Sequence, residues 1–558
     1  MLELSVVIPT FNRAGPLRRC LEALSRQTCA PDEFEVVVVV DGSTDGTLEM
    51  LAQLKVPFAL RVASRANAGQ AAALNHGLRV ACGRVCVLLD DDIVAEPRLL
   101  AEHRRVQAEA PVVAVGHMTC QVPPGADGFA HQFAAWWHEH YAALETGRQP
   151  TFMDCWSGNL SAPRHALLDA GGFAEDLPRL YDVELAYRLW THGLKFRYVA
   201  GAIGHQEFTK SGEQIAADAE RAGVASVEIY RRHPPTLPHL DLGRFGASRL
   251  RYVLLKKALL RLNVSPRRLA WVIALLSRGG RANSWYGLLF DYCYWRGVRS
   301  AVSDDTWRRL TTGVLVLMYH AFARPGERPS RYVVPARQFA RQMSWLRRRG
   351  YHVLPLREFV ECRRRFQLPP PASVVLTIDD GYADVRDVAL PELQRHQLPA
   401  TLFVVSGSVG RANGWDHDSA LAGRPLLTWQ AIRDMRDGLI EVGAHTRTHP
   451  RLTGLPPDMA WREIDGSRRD LERELGPRPV PLFAYPFGAV DQVGQRSAEH
   501  AGFLAACGIE PGFNWPDTPL LCLRRAEVHG TDSMLRFMLT VRLGDAIRNR
   551  RRVKTRAP

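Results

Sequence analysis

Short apolar runs alternate with amphipathic segments over the first part of the chain, and each run stops at a polar cluster. The pattern predicts strands over 4–9, 34–40 and 85–89, with helices over 16–27 and 44–54. A run of five valines in the second strand suits a strand that is buried on both faces of a parallel sheet. The alternation therefore predicts βαβ units, with a sheet between two layers of helices. In such a sheet, ligands bind beyond the carboxyl ends of the strands.

The alternation stops at a proline-rich segment and resumes later in the chain. Residues 233–238 contain three prolines, which is typical of a boundary. Further strands are predicted over 314–318, 374–378, 401–405 and 440–442. At 558 residues the chain is too long for one hydrophobic core, so a second α/β domain is expected here.

The segment between the two α/β regions is strongly basic. Residues 249–299 contain eleven Lys or Arg and one acidic residue, Asp291, with aromatic residues interleaved. This pattern predicts basic amphipathic helices, which either pack the flanking domains together or dock on an anionic membrane. A nucleic-acid-binding surface is a third interpretation, from a different class of function. No recognition-helix or aromatic-sheet motif accompanies the charge, so nucleic acid is not expected as a partner.

The charge of the whole chain is concentrated in two places. The net charge is +14, and residues 249–299 contribute +10 while residues 544–558 contribute +5. No apolar run approaches the roughly 20 residues that a bilayer requires, and the first residues lack the basic region of a signal peptide. Ten cysteines occur without a Cys-x-x-Cys pair, which favours a reducing compartment. We therefore expect a cytoplasmic protein, with peripheral contact at the inner face of the cell membrane as one option.

Polar clusters follow the predicted strands of the first α/β region in a defined order. Asp41 follows the valine strand, where a carboxylate can accept hydrogen bonds from a base or a ribose. Asp90 and Asp92, after a later strand, offer hard oxygen ligands at Asp-x-Asp spacing. Such ligands suit Mg²⁺ or Mn²⁺, which in turn holds a diphosphate. The clusters lie at 9–13, 41–47, 65–70 and 90–92.

Together these motifs resemble the family 2 inverting glycosyltransferases, which have the GT-A nucleotide-sugar fold. The resemblance covers about residues 4–210 and continues through 156–159, 171–175 and 181–189. It implies that Asp182 is the base that deprotonates an acceptor hydroxyl, which then attacks the anomeric carbon with inversion. Tyr181 stands where the family carries the glutamate of a Glu-Asp pair. The residues that the resemblance assigns to the nucleotide-sugar are Thr10, Phe11, Asp41, Arg65 and Asp90, with Asp90 and Asp92 on the metal.

A second set of chemistry-bearing residues lies in the later α/β region. Asp379 and Asp380 end an apolar strand, and His445 and His449 follow about sixty residues on. If the later segment is helical, the i, i+4 spacing turns both imidazoles to one side. With one aspartate they form a two-histidine, one-carboxylate set that leaves coordination positions open for water and substrate. The other aspartate remains available as a base.

These residues resemble the polysaccharide deacetylase family, carbohydrate esterase family 4, over about residues 313–535. The resemblance implies a distorted (β/α) barrel that holds Zn²⁺ or a similar divalent ion on Asp380, His445 and His449, with Asp379 as the base. The arginine that usually orients the base is absent from segment 483–488, and Arg524 and Arg525 are its candidate replacements. His529 is the candidate acid, with His320 behind it.

These patterns predict an α/β chain with a GT-A glycosyltransferase domain at 1–235, a basic helical connector at 236–312, a deacetylase domain at 313–545 and a basic tail at 546–558. We expect the chain to be a bifunctional carbohydrate enzyme. A sugar, most simply an N-acetylhexosamine from a UDP-sugar, is transferred to a glycan or lipid-linked saccharide, and N-acetyl groups are hydrolysed. The alternative is a glycosyltransferase with an inactive, glycan-binding deacetylase-like domain.

Overall fold

The computed structural model divides the chain into two compact units. The N-terminal unit comprises Met1–Arg232 and Lys256–Ala301, and the C-terminal unit comprises His233–Leu255 and Val302–Pro558. The chain therefore passes between the units three times. The tail predicted over 546–558 lies outside the described residues. The structure describes residues 2–124, 126, 128–208, 210–248, 250–277, 283–324, 326–416, 420–436, 438–476 and 478–544.

A mixed sheet forms the centre of the N-terminal unit. Its strand order over the described residues is β3-β2-β1-β4-β7-β6-β8-β5. The first four strands in this order run parallel, whereas β7 is antiparallel to both β4 and β6. The strands are β1 (Leu4–Thr10), β2 (Phe34–Asp41), β3 (Ala59–Arg65), β4 (Val85–Leu89), β5 (Ile93–Ala95), β6 (Val112–Gln121), β7 (Asn159–Pro163) and β8 (Lys195–Glu207).

Helices cover this sheet, as the alternating pattern predicts. All five valines of β2 are fully buried, because the strand has a packed layer on each face. The carboxyl ends of β1, β2 and β4 meet at one edge, so the polar residues that follow them come together there. The helices are α1 (Ala14–Leu24), α2 (Thr47–Gln53), α3 (Gln70–Val80), α4 (Leu99–Glu109), α5 (Gly128–Glu145), α6 (Arg164–Asp169), α7 (Tyr181–Thr191) and α8 (Gly212–Arg232).

The predicted basic connector is helical, and from Lys256 to Ala301 it belongs to the N-terminal unit. Its helices are α9 (Leu250–Leu262), α10 (Pro266–Ser277) and α11 (Asn283–Ala301). Helix α11 lies directly on α8, where Gly223 and Gly297 let the two backbones touch; a Cβ at either position would collide with a carbonyl of the other helix. Lys256 is buried and pairs with Asp291 at 2.7 Å. In the described part of the chain, no helix is both long enough and apolar enough to cross a membrane.

The C-terminal unit is built on a parallel sheet that forms part of a barrel. The described strands run in the order β17-β16-β15-β14-β13-β9-β18, and β12 also pairs with β13. Every pairing within this sheet is parallel, so the carboxyl ends of its strands share one edge. A large apolar cluster fills the space between the sheet and the surrounding helices. This is the distorted (β/α) barrel architecture that the sequence predicts.

The elements of the C-terminal unit follow one another in the alternating order of a β/α fold. The strands are β9 (Leu315–Tyr319), β10 (Ala321–Ala323), β11 (Val333–Pro335), β12 (His352–Leu354), β13 (Ser373–Ile378), β14 (Ala400–Val404), β15 (Ile440–Ala444), β16 (Leu482–Ala484), β17 (Ala505–Cys507) and β18 (Ala526–Glu527). The helices are α12 (Asp304–Thr311), α13 (Ala336–Arg348), α14 (Leu356–Arg364), α15 (Leu390–His396), α16 (Trp429–Arg436), α17 (Pro457–Leu475), α18 (Gln492–His500) and α19 (Met534–Leu543).

Candidate active sites

A cavity of ≈ 620 Å³ opens at the carboxyl ends of β1, β2 and β4 in the N-terminal unit. It collects most of the residues that the sequence assigns to a nucleotide-sugar. Arg65 is the exception, because it is not among the residues that line the cavity. The predicted residues that line the cavity are Thr10, Phe11, Asp41, Asp90, Asp92 and Asp182.

The Asp41 carboxylate is held in place by a loop that precedes α3. The backbone N–H groups of Ala68 and Gly69 donate to it, the latter at 2.8 Å. The Arg65 guanidinium lies 3.3 Å away and also donates to the carbonyl of Ala72. Arg65 therefore orients Asp41 and the loop, and the carboxylate faces the cavity.

Three consecutive aspartates lie at the centre of the cavity. Asp91 accepts a hydrogen bond from Thr10 at 2.7 Å, and Asp92 pairs with Arg13 at 2.7 Å. Asp90 accepts from the Gln70 amide at 2.9 Å. Burial, together with the Asp92 and Asp91 carboxylates, raises the pKa of Asp90 to about 7. Burial also raises the pKa of Asp91 to about 6, although Arg13 opposes the shift.

This crowding of carboxylates fits a hard divalent cation. Burial is the main cause of the raised pKa values, and the neighbouring carboxylates add to it. A cation would offset both effects, and carboxylate oxygens are the preferred ligands of Mg²⁺ and Mn²⁺. Asp90 and Asp92 present their carboxylates to the cavity, so they are the residues that would hold such an ion.

Asp182 also lines the cavity and lies in the first turn of α7. Leu180, at φ 57°, turns the chain sharply into this helix. The Asp182 carboxylate accepts a hydrogen bond from the Ser157 N–H at 3.3 Å. Burial raises its pKa, against the attraction of Arg179. A buried carboxylate with a raised pKa at a cavity wall has the properties of a general base.

Sequence reasoning missed an aromatic wall beside Asp182. Phe133, Trp136 and Trp137 of α5 line the cavity together with Trp156. The rings of Trp137 and Trp156 stack, with centroids 4.6 Å apart, while Trp136 remains 47% exposed. The spacing of the α5 aromatics is equally typical of a buried helix face, so the sequence alone did not place them in a cavity.

The predicted metal triad comes together in a cavity of ≈ 250 Å³ at the sheet edge of the C-terminal unit. The Nε2 atoms of His445 and His449 both lie 3.4 Å from Oδ1 of Asp380. The ligand atoms of all three residues lie within 4.8 Å of one another, and all three residues are buried. Among the described residues this is the one group of three or more His, Cys, Asp or Glu side chains close enough to hold an ion.

The geometry of His445 fits metal ligation. Its Nδ1 lies 2.7 Å from the carbonyl of Ala484, which places the ring proton on Nδ1 and leaves the Nε2 lone pair toward Asp380. The helical interpretation of the His pair is wrong. Thr446 and His449 have φ values of 64° and 63°, so the segment after β15 is a loop in which these two residues have left-handed backbone conformations. The two rings converge through this loop and not through helical spacing.

Asp379 is paired with Arg525. The guanidinium lies 2.7 Å from the carboxylate, and both residues are buried. Arg525 also donates to the carbonyl of Gly508 at 2.8 Å, which fixes its position. Burial raises the pKa of Asp379, but the Arg525 guanidinium, together with His445 and His320, outweighs it and holds the pKa below its usual range. Arg524 is exposed, so Arg525 is the arginine that meets the candidate base.

The structure brings His320, and not His529, to this cavity. His320 follows β9, the neighbour of β13, and therefore lines the cavity beside Asp379. His529 is not among the residues that line it; its backbone N–H donates to the Asp532 carboxylate, and its ring lies 3.2 Å from Glu527. β9 and β13 are neighbours in the sheet although they are not consecutive in the sequence, and this adjacency brings His320 to the triad.

Two family models match the chain, one in each unit. The model described as glycosyl transferase family 2 matches residues 5–168, and the polysaccharide deacetylase model matches residues 367–506. The first match covers β1 to β7 and includes the three aspartates at 90–92. The second covers β13 to β17 and includes Asp379, Asp380 and both histidines.

Curated relatives divide in the same way. The chain is 31% identical over 295 residues to validoxylamine A glucosyltransferase from Streptomyces hygroscopicus subsp. jinggangensis, covering 45% of this chain and 67% of that protein. The same enzyme from subspecies limoneus is matched over 62% of its length. A putative polysaccharide deacetylase, YxkH of Bacillus subtilis, is 27% identical over 213 residues, or 38% of this chain and 70% of the relative.

A solved structure also resembles the first part of the chain. The mannosyltransferase PcManGT from Pyrobaculum calidifontis, solved with GDP-Man and Mn²⁺, is 21% identical. The superposition has a TM-score of 0.39 and covers 53% of this chain and 86% of the mannosyltransferase.

Proposed function

We propose that this chain, which belongs to glycosyl transferase family 2 through its N-terminal unit and carries a polysaccharide deacetylase domain in its C-terminal unit, builds and then modifies one glycan. The chain is a bifunctional carbohydrate enzyme with a transferase and a hydrolase domain. In the coupled scheme, the first domain adds an N-acetylhexosamine to an acceptor and the second removes the acetyl group. The observation that carries the scheme is that each unit has its own cavity, which is lined by the candidate catalytic side chains of that unit.

The transferase step uses Asp182 as the base. It accepts the proton of the acceptor hydroxyl, which displaces the nucleoside diphosphate from the anomeric carbon with inversion. Its raised pKa increases its basicity, while the charge of Arg179 favours the ionised carboxylate that accepts the proton. A Mg²⁺ or Mn²⁺ ion held by Asp90 and Asp92 would supply positive charge to the departing diphosphate.

The remaining residues of this cavity bind the donor and the acceptor. Asp41 offers a carboxylate to the base or ribose, and Thr10 and Phe11, at the end of β1, line the same cavity. The donor is a nucleotide-sugar, and UDP-N-acetylhexosamine is the simplest choice, because the second reaction requires an N-acetyl group. The exposed ring of Trp136 gives a flat apolar surface, which suits the face of an acceptor sugar.

The hydrolase step uses Asp379 as the base. Arg525 keeps it ionised, so it accepts a proton from the water that attacks the acetyl carbonyl. A Zn²⁺ or similar divalent ion held by Asp380, His445 and His449 would lower the pKa of that water and stabilise the oxyanion. His320, which lines the cavity, donates a proton to the leaving amine in this scheme.

The acceptor that we propose is a glycan or lipid-linked saccharide. Peripheral contact with an anionic membrane, on the cytoplasmic face, would bring the transferase cavity to such an acceptor. The basic composition of the segment 249–299 supports this part of the scheme.

The scheme is tested with the purified full chain, UDP-N-acetylglucosamine and oligosaccharide acceptors, followed by product mass and acetate release. The wild-type chain should give an extended, deacetylated product, and Asp379→Asn should give an extended product that keeps its acetyl group. Asp182→Asn should extend the acceptor far more slowly than wild type while still releasing acetate from a preformed product. A wild-type chain that extends the acceptor but never releases acetate would overturn the coupled scheme.

Metal analysis distinguishes the alternative of an inactive, glycan-binding domain. The full chain should bind one tightly held divalent ion that His445→Ala removes, and acetate release should disappear with it. The binding-domain alternative would be supported by a chain that binds glycan but holds no such ion. It would also be supported if acetate release did not depend on the ion.

A further inference from the structure

Large apolar side chains are exposed on α9 and α10. Leu262 is 75% exposed, Trp271 is 67% exposed and Leu275 is 49% exposed. Single exposed apolar residues are ordinary on a protein surface, but several on two consecutive helices form a feature that requires an explanation.

The exposed residues lie on the outer faces of helices whose inner faces are already packed. On α10, Trp271 and Leu275 are one turn apart, whereas Leu269 and Ile273 point the other way and are buried. Those two buried residues belong to an apolar cluster that also contains Tyr286 and other residues of α11. The outer face is therefore not the core-facing side of the helix, and burial within its own unit does not account for its apolar residues.

The charge on these helices is of one sign. Residues 250–277 contain six Lys or Arg and no Asp or Glu. Lys256 is committed to a buried pair with Asp291, and Arg267 pairs with Glu213 on the surface. Arg261 and Arg268 are exposed, and neither forms an ion pair with a carboxylate of the described residues. An apolar face flanked by uncompensated guanidinium groups is complementary to an anionic lipid surface.

The same helices back the wall of the transferase cavity. The cluster beneath α10 contains Phe208 and also contacts Phe133, and both of these side chains line the cavity. The layer is fixed in place by backbone contact between α8 and α11 and by the hydroxyl of Tyr292, which donates to the carbonyl of Val264. The outer face thus lies one helix layer away from the site where we place the acceptor.

We propose that the outer faces of α9 and α10 form a docking surface for an anionic phospholipid bilayer. The inference rests on the proposed function and deepens it, because a bilayer holds the lipid-linked class of acceptor. Trp271 enters the headgroup region, the leucines reach the acyl chains, and Arg261 and Arg268 contact lipid phosphates. A second copy of this chain or a nucleic acid is a competing occupant, and the test separates these.

The test measures sedimentation of the full chain with vesicles of phosphatidylcholine alone or mixed with phosphatidylglycerol. Wild type should bind the mixed vesicles, and added salt should weaken the binding. Leu262→Ser with Trp271→Ser and Leu275→Ser should lower the partition coefficient at least about tenfold. The matched control replaces exposed apolar residues elsewhere by serine and should bind like wild type. Its positions are Trp190, Met459 and Leu535, which are 48%, 50% and 67% exposed.

The charge component has its own pair of variants. Arg261→Gln with Arg268→Gln should lower binding to the mixed vesicles roughly thirtyfold, since each cation near the surface contributes about 1 kcal/mol. Arg341→Gln with Arg496→Gln, two exposed arginines of the C-terminal unit, should leave binding unchanged. Thermal unfolding of every variant should match wild type, which excludes a folding defect.

Several outcomes would overturn the inference. The first is equal binding by the triple variant and its control, and the second is equal binding to neutral and anionic vesicles. The third is that the chain binds a single-stranded oligonucleotide, or associates with itself, and does not bind vesicles. Vesicle sedimentation needs no catalysis, so it stands apart from the proposed function. If the triple variant and wild type both fail to transfer sugar to a water-soluble acceptor while wild type binds vesicles, the proposed function is wrong and the docking surface is not.

Discussion

Replacing Arg525 with methionine should destabilise the C-terminal unit by about 3–5 kcal/mol, because it leaves the Asp379 carboxylate buried without its partner. The guanidinium and the carboxylate lie 2.7 Å apart, with 0% and 4% of their side chains exposed. Water therefore does not compensate for the lost charge. Methionine keeps much of the volume and the apolar stem, so the change reports on charge more than on packing.

The magnitude is large enough to measure directly. For a domain of this size, about 1 kcal/mol shifts the melting temperature by roughly 2–4 °C, so a shift of about 6–20 °C is expected. Calorimetry of the full chain, in chelator, should show one transition that moves by this amount. Arg524→Met is the matched control, because Arg524 is the adjacent arginine and is exposed; its transitions should stay within about 2 °C of wild type.

The pH dependence gives the sign of the effect. In wild type, Arg525 holds the pKa of Asp379 below its usual range, and without the arginine, burial raises it. The unfolded carboxyl titrates near 3.9, so the variant binds more protons when folded than when unfolded just above that pH. The stability difference between the variant and wild type should therefore be largest at neutral pH and shrink as the pH falls toward about 4.

A double-mutant cycle checks the cause. Arg525→Met with Asp379→Asn should be less destabilised than Arg525→Met alone, since the second change removes the uncompensated charge. If Arg525→Met melts like Arg524→Met, or if Asp379→Asn restores nothing, the buried pair does not stabilise the unit and this reasoning is refuted.

Other consequences of the two sites can be measured separately. Asp182→Asn should lower the transferase kcat by about 10²- to 10⁴-fold without changing acetate release, and an equal loss of both activities would contradict the division of roles. Trp136→Ala should raise the acceptor KM by about tenfold with little change in kcat, whereas Trp190→Ala, equally exposed outside the cavity, should change neither. Acid should destabilise the N-terminal unit because burial lowers the pKa of His103 to about 4, while an unfolded histidine titrates near 6.5. About 3 kcal/mol of stability is thus fully present above pH 6.5 and is lost as the pH falls toward 4. In urea unfolding at pH 7 and pH 5, His103→Asn should show a smaller pH effect than wild type, and His165→Asn, at an exposed position, should match wild type.

Local sequence patterns predicted the strands and the residues that end them. The valine run of β2 is fully buried, and Asp41, Asp90 and Asp379 each follow an apolar strand at the edge where a cavity opens. Such positions can be predicted because strand identity and strand end are both local properties. The parallel arrangement then brings successive strand ends to the same edge.

The partners of these residues depend on packing between distant segments. Arg525 is 146 positions away from Asp379 in sequence, so nothing near Asp379 identifies it. The choice between His320 and His529 depends on which strand lies next to β13. The left-handed backbone at Thr446 is likewise set by the loop as a whole, since a β-branched residue rarely adopts that conformation.

The order in which the chain visits its two units limits how the activities can be separated. Because the chain crosses between them at 232/233, 255/256 and 301/302, no single cleavage yields two intact units. A cut after residue 232 would leave 256–301, with the helix that touches α8, attached to the other fragment. Two genes joined end to end would give one crossing. Exchanging one activity for another by recombination therefore requires replacing two stretches of sequence at once, so the two halves are inherited together.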